Sequence, residues 1–296
     1  MIHNKMQFIW SVLLVVFILL IISCLPFNKG QAEEMAFIVE EDITYGKGGD
    51  VELKLDLARP IKGRGPFPAL VFIHGHGQNR KGYYHEIREA AERGYVAVSV
   101  DFRIFGMREN GKVKYPFPAQ VQDVKCAVRW LRANARKYKI DPNRIGVVGW
   151  SSGGHLSLML GLTDPSHGLE GRCGKKKYSS RVQAVVSLAG PTELIRFYQE
   201  KPKQWVVDSL GGTPEEVPEQ YKRASPLTYV SKDDPPVLSV HGEKNHQVPL
   251  NQPELLDAKM REVGASHTLK IKKDGGHVVL VDKSVWEFLN EHLKRD

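Results

Sequence analysis

The sequence predicts a doubly wound α/β domain, a mostly parallel twisted sheet with helices on both faces, and three observations lead there. Short runs of Val, Ile and Leu bounded by turn residues recur at 69–73, 95–100, 145–148, 184–188 and 237–240. Continuous runs this short suit strands buried on both faces, as in a parallel sheet. Helical patterns lie between them, near 82–93, 119–138, 152–162, 252–264 and 281–294. Strand and helix alternating over this length give one sheet covered on both sides.

The elements follow in chain order. Residues 36–45 and 51–58 alternate apolar and polar around Gly48-Gly49 and read as an antiparallel opening hairpin. In the second helical pattern, Val121, Val124, Val128 and Leu131 fall on one stripe of an amphipathic helix. Asp141-Pro142 is expected to stop that helix and lead into the next strand. A last strand is expected at 268–271. Residues 200–236 are rich in Pro, Gly and charge with little periodicity. They read as a long excursion over one end of the sheet, a candidate lid. Residues 36–296 are therefore expected to form one domain, with 24–35 as a linker.

Composition narrows the function classes. The chain of 296 residues is 42% hydrophobic and 26% charged, which excludes a wholly disordered or collagen-like chain. No fixed internal period points to a solenoid or propeller. The net +8, from 42 Lys and Arg against 34 Asp and Glu, is scattered along the chain. Its one tight cluster, Lys175-Lys176-Lys177, sits in a Gly-rich loop, so nucleic acid is not the expected partner. The three cysteines include no CxxC pair, and no zinc site is expected.

The amino terminus reads as a targeting segment. Residues 8–23 (FIWSVLLVVFILLIIS) carry no charge and follow Lys5. The run is intermediate between a secretory core and a transmembrane helix. Ile21-Ile22-Ser23-Cys24 resembles a bacterial lipobox, in which the cysteine becomes the lipidated first residue of the mature chain. An uncleaved anchor helix and cleavage after Ala32 are the alternatives. All three export the chain, as a membrane-anchored lipoprotein at a periplasmic or cell-surface site or as a secreted protein. Export makes a Cys126–Cys173 disulfide chemically possible, and a buried free Cys126 is the expectation.

The chemistry gathers at three strand ends. Gly149-Trp150-Ser151-Ser152-Gly153 follows the strand at 145–148 and precedes the helical run from His155. G-x-S-x-G between strand and helix is a nucleophile elbow, which exposes the Ser151 hydroxyl on a strained turn. His74-Gly75-His76-Gly77 follows the strand at 69–73. Its backbone N–H groups at His76 and Gly77, with that of Ser152, are the candidate oxyanion donors. A metal held by His74 and His76 is disfavoured, because no third ligand is placed. Gly275-Gly276-His277 follows the last strand, and of the eleven histidines His277 alone has the order and context of a general base for Ser151.

These motifs, with 117–124 (FPAQVQDV), 130–134 (WLRAN), 141–147 (DPNRIGV) and 224–230 (ASPLTYV), resemble the α/β-hydrolase superfamily. The resemblance is to its esterase and acetyl esterase branch, related to feruloyl and acetylxylan esterases, over residues 40 to 296. It implies the α/β-hydrolase fold and a carboxylic ester hydrolase with a Ser, acid, His triad in that chain order, needing no cofactor. Family members carry H-G-x-x-D-x-x-V-P where this chain has His241-Gly242-Glu243-Lys244-Asn245-His246-Gln247-Val248-Pro249. Asn245 thus stands at the triad-acid position. The acid holds the His tautomer and stabilises the imidazolium, and in a serine protease the same Asp→Asn change lowers kcat about 10⁴-fold. That is about 5–6 kcal/mol of barrier.

Three accounts of Asn245 follow: Glu243 substitutes as the acid, Asp274 orients His277, or the protein is catalytically weakened. Asp123 and Arg103 are a candidate ion pair beneath the oxyanion loop. Trp150 is a candidate wall of the acyl pocket or core packing under the elbow. Tyr83 and Tyr84 are candidates for stacking on substrate or for packing in the first helix. The leading reading is an exported serine esterase acting on short acyl esters of small molecules or glycans. The alternatives are an impaired α/β-hydrolase serving as a surface binding or scaffolding protein, and a serine peptidase of the prolyl-oligopeptidase type. The latter normally carries a large propeller domain ahead of the hydrolase domain.

Overall fold

A computed structural model of the protein describes residues 36–294. The opening hairpin forms from β1 (Phe37–Gly48) and β2 (Val51–Pro60), paired antiparallel, and β2 lies antiparallel to β4 (Val96–Val100). Beyond it the sheet is parallel throughout: β3 (Phe67–Ile73), β7 (Ile140–Trp150), β8 (Ala184–Leu188), β9 (Val237–Gly242) and β10 (His267–Lys272). The eight strands run in the order β1-β2-β4-β3-β7-β8-β9-β10. A separate two-stranded hairpin pairs β5 (Arg108–Glu109) with β6 (Lys112–Val113).

Successive strand residues supply opposite layers, as a period of two requires. Val71 and Ile73 join one core cluster, while Leu70 and Phe72 join the other. Over the first face lie α2 (Ala119–Ala133), α4 (Ser152–Leu162) and α8 (Asn251–Val263), and α3 (Ala135–Tyr138) follows α2. Over the second lie α1 (Tyr84–Glu92) and α9 (Lys283–Leu293). The stripe Val121, Val124, Val128 and Leu131 is wholly buried, so burial of apolar area holds α2 to the sheet. The described residues, 36–294, form one compact unit.

Three expectations change. Asp141-Pro142 does not stop α2. The helix gives way at Asn134 to the short α3, and Lys139 takes the left-handed conformation (φ 55°). Asp141 and Pro142 then lie inside β7, where pairing with β3 slips between Phe67↔Ile140 and Ala69↔Ile145. A proline is tolerated there because the ladder is interrupted. Residues 200–236 are not irregular. With the end of α5 (Leu194–Glu200) they hold α6 (Gln204–Leu210) and α7 (Pro218–Ala224), two turns each and too short to show a helical period.

Cys126 is not free. It forms a disulfide with Cys173 at a Cα–Cα distance of 5.4 Å. The loop carrying Cys173 is drawn onto α2 by buried cations: Arg129 donates to the Cys173 and Glu170 carbonyls, and both Lys125 and Arg129 pair with the Glu170 carboxylate. The expected Arg103–Asp123 ion pair does form. The guanidinium forks onto a fully buried carboxylate and also donates to the Ala119 carbonyl, which ties β4's exit to the start of α2. Among the described residues no helix is long and apolar enough to cross a membrane. The targeting segment and linker expected at 1–35 lie outside them.

Candidate active site

The site begins with a steric constraint. Between the end of β7 and the start of α4, Ser151 adopts φ 57° and ψ −121°, a region costly for a side-chain-bearing residue. The turn closes because its glycines are bare. A Cβ on Gly149 would fall 2.1 Å from the Gly153 carbonyl oxygen, and one on Gly153 would fall 2.0 Å from that of Ile73. The Ser151 N–H donates to the Leu188 carbonyl (2.8 Å), and its own carbonyl accepts from His155 N–H (3.1 Å). Strand, elbow and helix therefore lock together.

Two neighbouring strand ends complete the arrangement. His277 follows β10, and its Nε2 lies 2.9 Å from Ser151 Oγ. Asn245 follows β9, and its Oδ1 lies 3.2 Å from His277 Nδ1. The same Oδ1 accepts the backbone N–H groups of Gln247 and Val248, each at 3.0 Å. Backbone N–H groups can only donate, so the Asn245 atom among them is the oxygen. That oxygen in turn requires a proton on His277 Nδ1. Nε2 is then left unprotonated, aimed at the Ser151 hydroxyl. The carboxamide thus sets the tautomer a base needs without supplying charge.

Burial first, then the neighbouring His241 and Lys203, push the His277 pKa down to about 4. Neutral His277 is favoured, and the imidazolium formed during proton transfer is not matched by a carboxylate.

The structure places the substitute acids elsewhere. Glu243 lies in the same loop, but its carboxylate accepts the Asp274 backbone N–H (3.0 Å) and closes that turn. Asp274 pairs with Lys244 at 2.5 Å on the surface. The acid-substitution accounts are corrected accordingly: the group facing His277 Nδ1 is Asn245.

Of the candidate oxyanion donors, His76 and Ser152 line one cleft with Ser151 and His277. The Ser152 N–H belongs to the first turn of α4, where helix geometry leaves it without an intrahelical acceptor. Gly77 takes a left-handed φ of 78° in a turn closed by Gln78 N–H on the Gly75 carbonyl. His74 and His76 do not converge. His74 is buried against Phe102 with Nδ1 bonded to the Gly75 carbonyl, whereas the His76 ring stacks on Trp205 at 4.7 Å. Among the described residues no cluster of three or more His, Cys, Asp or Glu could hold a metal.

Trp150 serves two ends. It walls the cleft, and its indole N–H donates to the His277 carbonyl at 2.8 Å, fixing the loop that carries the base. Tyr83 packs against Phe72 at 5.1 Å and is buried; Tyr84 is half-buried beneath the Arg88 guanidinium. Sequence reasoning missed Phe197, Lys203 and Trp205, which line the cleft from α5 and the start of α6. A tryptophan amid the polar stretch 200–205 was the available signal.

Comparison with known proteins places this geometry. The model of the BD-FAE family matches residues 55–260, a span that includes Ser151 and Asn245 and ends before His277. Esterase LipC of Mycobacterium tuberculosis is 31% identical over 270 residues, covering 84% of this chain and 62% of its own. Probable carboxylic ester hydrolase LipM of the same organism is 30% identical, covering 75% of this chain and 52% of its own. The chain thus spans between half and two thirds of the length of these relatives. A truncated carbohydrate esterase from gut microbiota superposes with a TM-score of 0.76 at 27% identity, covering 88% of this chain and 99% of that one. The apo form of Thermogutta terrifontis esterase 2 superposes at 0.66 and 26% identity, over 82% and 86% of the two chains. With its mostly parallel sheet and strand-end site, the chain has the α/β-hydrolase fold and belongs to the BD-FAE family.

Proposed function

We propose that the protein is a serine carboxylic ester hydrolase for short acyl esters, acting through an acyl-enzyme. One observation carries the reading: Ser151 Oγ, His277 Nε2, His277 Nδ1 and Asn245 Oδ1 form one continuous hydrogen-bonded line at 2.9 and 3.2 Å. Ser151 attacks the ester carbonyl as His277 Nε2 takes its proton. The N–H groups of His76, Gly77 and Ser152 receive the developing oxyanion, and His277 returns the proton to the leaving alkoxide. Water then repeats the sequence on the acyl-enzyme. Short acyl groups are favoured by an apolar pocket behind Ser152, walled by Phe105, Phe117, Phe197 and Trp205.

Acetyl groups on glycans are the proposed substrate class, supported by the carbohydrate esterase among the structural neighbours. Export with a lipid anchor at Cys24 is part of the proposal, supported by the apolar run at 8–23 and by a disulfide suited to an oxidising compartment. The uncharged Asn245 favours a second reading, an impaired hydrolase retained as a surface binding protein. Release of 4-nitrophenol from its acetate by the purified full-length protein separates the two. Turnover that vanishes in Ser151→Ala supports the esterase, and rates equal to that control support the binding protein.

A further inference from the structure

The segment after His277 alternates in burial. Val279 is 8% exposed and joins the core beneath α1 and α9, with Val281 packed against the same cluster. This anchoring turns Val278 and Leu280 outward, and they are 71% and 70% exposed, the most exposed large apolar side chains among the described residues. They do not stand alone. With Trp150, Gln78, Tyr83 and Glu86 they line an open groove. Trp150 is the shared wall between this groove and the Ser151 cleft.

The groove has a polar edge. Burial raises the Glu86 carboxyl pKa, and the buried Tyr83 hydroxyl has no hydrogen-bond partner among the described residues. Gln78 contributes its amide, whose oxygen also accepts the Gly75 N–H at 3.3 Å. Two projecting aliphatic side chains and an indole thus share the groove with a carboxyl and an amide.

Chemistry says which half of an ester lies here. The leaving oxygen must come within hydrogen-bonding reach of His277 Nε2 to receive its proton. The alcohol therefore departs along the His277 side, whereas the acyl group sits toward Ser152 and the enclosed pocket behind it. Trp150 lies 5.0 Å from the His277 ring and holds the His277 carbonyl, so the groove begins where the alcohol leaves. We propose that this groove is the leaving-group site, and that it takes a ring-bearing alcohol with one apolar face against Val278, Leu280 and Trp150 and hydroxyls toward Glu86 and Gln78. This inference rests on the esterase reading above. A sugar meets both requirements, whereas a simple aryl alcohol meets only the apolar one.

The test compares kcat/KM for phenyl acetate and for a monoacetylated methyl pyranoside, each divided by kcat/KM for ethyl acetate, in the full-length protein and in Val278→Ser/Leu280→Ser. Both positions are exposed, so the variant is expected to fold, and far-UV circular dichroism checks this. The expected result is about a ten-fold fall in at least one ratio, carried by KM. A fall with phenyl acetate alone assigns aryl alcohols, and a fall with the pyranoside alone assigns sugars. Ratios unchanged within two-fold for both overturn the groove while leaving the esterase standing. No Ser151-dependent hydrolysis of any of the three esters overturns the esterase reading, and the leaving-group site with it.

Discussion

The carboxamide oxygen of Asn245 faces Nδ1 of His277 at 3.2 Å, held there by the backbone N–H groups of Gln247 and Val248. In a triad the acid does two things, holding the tautomer and stabilising the imidazolium. Here the first is met by an oxygen that the loop fixes in place, and the second is absent.

Asn245→Asp is therefore expected to raise kcat, but by about 10- to 100-fold rather than the about 10⁴-fold associated with a mis-set tautomer. The Asn245 amide nitrogen lies 3.2 Å from His241 Nε2, which also sits 2.9 Å from the Val248 carbonyl. When Nε2 donates to that carbonyl, two donors face each other, and a carboxylate oxygen would instead accept. Steady-state kinetics on 4-nitrophenyl acetate measure the gain. A gain above 10³-fold would show that the native tautomer is wrong.

The pH profile carries a matching prediction. Protonated His277 cannot accept the serine proton, and its pKa lies at about 4. With the base already neutral above that value, kcat/KM should hold from neutral pH down to about pH 5 and fall below it. In Asn245→Asp the new carboxylate stabilises the imidazolium, so the acidic limb should move up by at least one unit, toward the ordinary value of about 6.5. A limb that stays in place would show that position 245 does not sense the His277 proton.

Glu243→Gln is expected to leave kcat/KM within two-fold, because the carboxylate bonds the Asp274 N–H and not His277. A fall beyond ten-fold would show that Glu243 reaches the imidazole during turnover.

The disulfide closes a loop with a sequence separation of 47 residues, which by chain entropy contributes about 4 kcal/mol. For a domain of this size, reduction or Cys126→Ser/Cys173→Ser should lower Tm by about 8–16 °C. Differential scanning calorimetry checks this, and an unchanged Tm would mean that the Lys125, Arg129 and Glu170 contacts hold the loop alone.

How far the site could be read from sequence follows from how local each signal is. Ser151 sits in a motif whose glycines are demanded by backbone crossings at Gly149 and Gly153, so five residues and their flanks suffice. His277 was legible from its place after the last strand. The strands were legible because burial on both faces leaves uninterrupted Val and Ile runs. Trp205 and Lys203 were not, since α6 spans two turns and reaches the cleft only through tertiary packing. Asn245 was legible as a departure, but its orientation depends on two backbone donors that only the folded loop supplies. The Cys126–Cys173 pair likewise depends on a loop folded back by Arg129 and Lys125, which no spacing encodes.

The most direct test is covalent trapping. The full-length protein is incubated with paraoxon, its intact mass is measured, and the modified peptide is sequenced by tandem mass spectrometry. A nucleophile activated by His277 should give one diethylphosphoryl adduct on Ser151, absent in Ser151→Ala and slowed at least 100-fold in His277→Ala. No adduct in the unmodified protein, or an adduct that persists in Ser151→Ala, would contradict the assignment of Ser151 as the nucleophile.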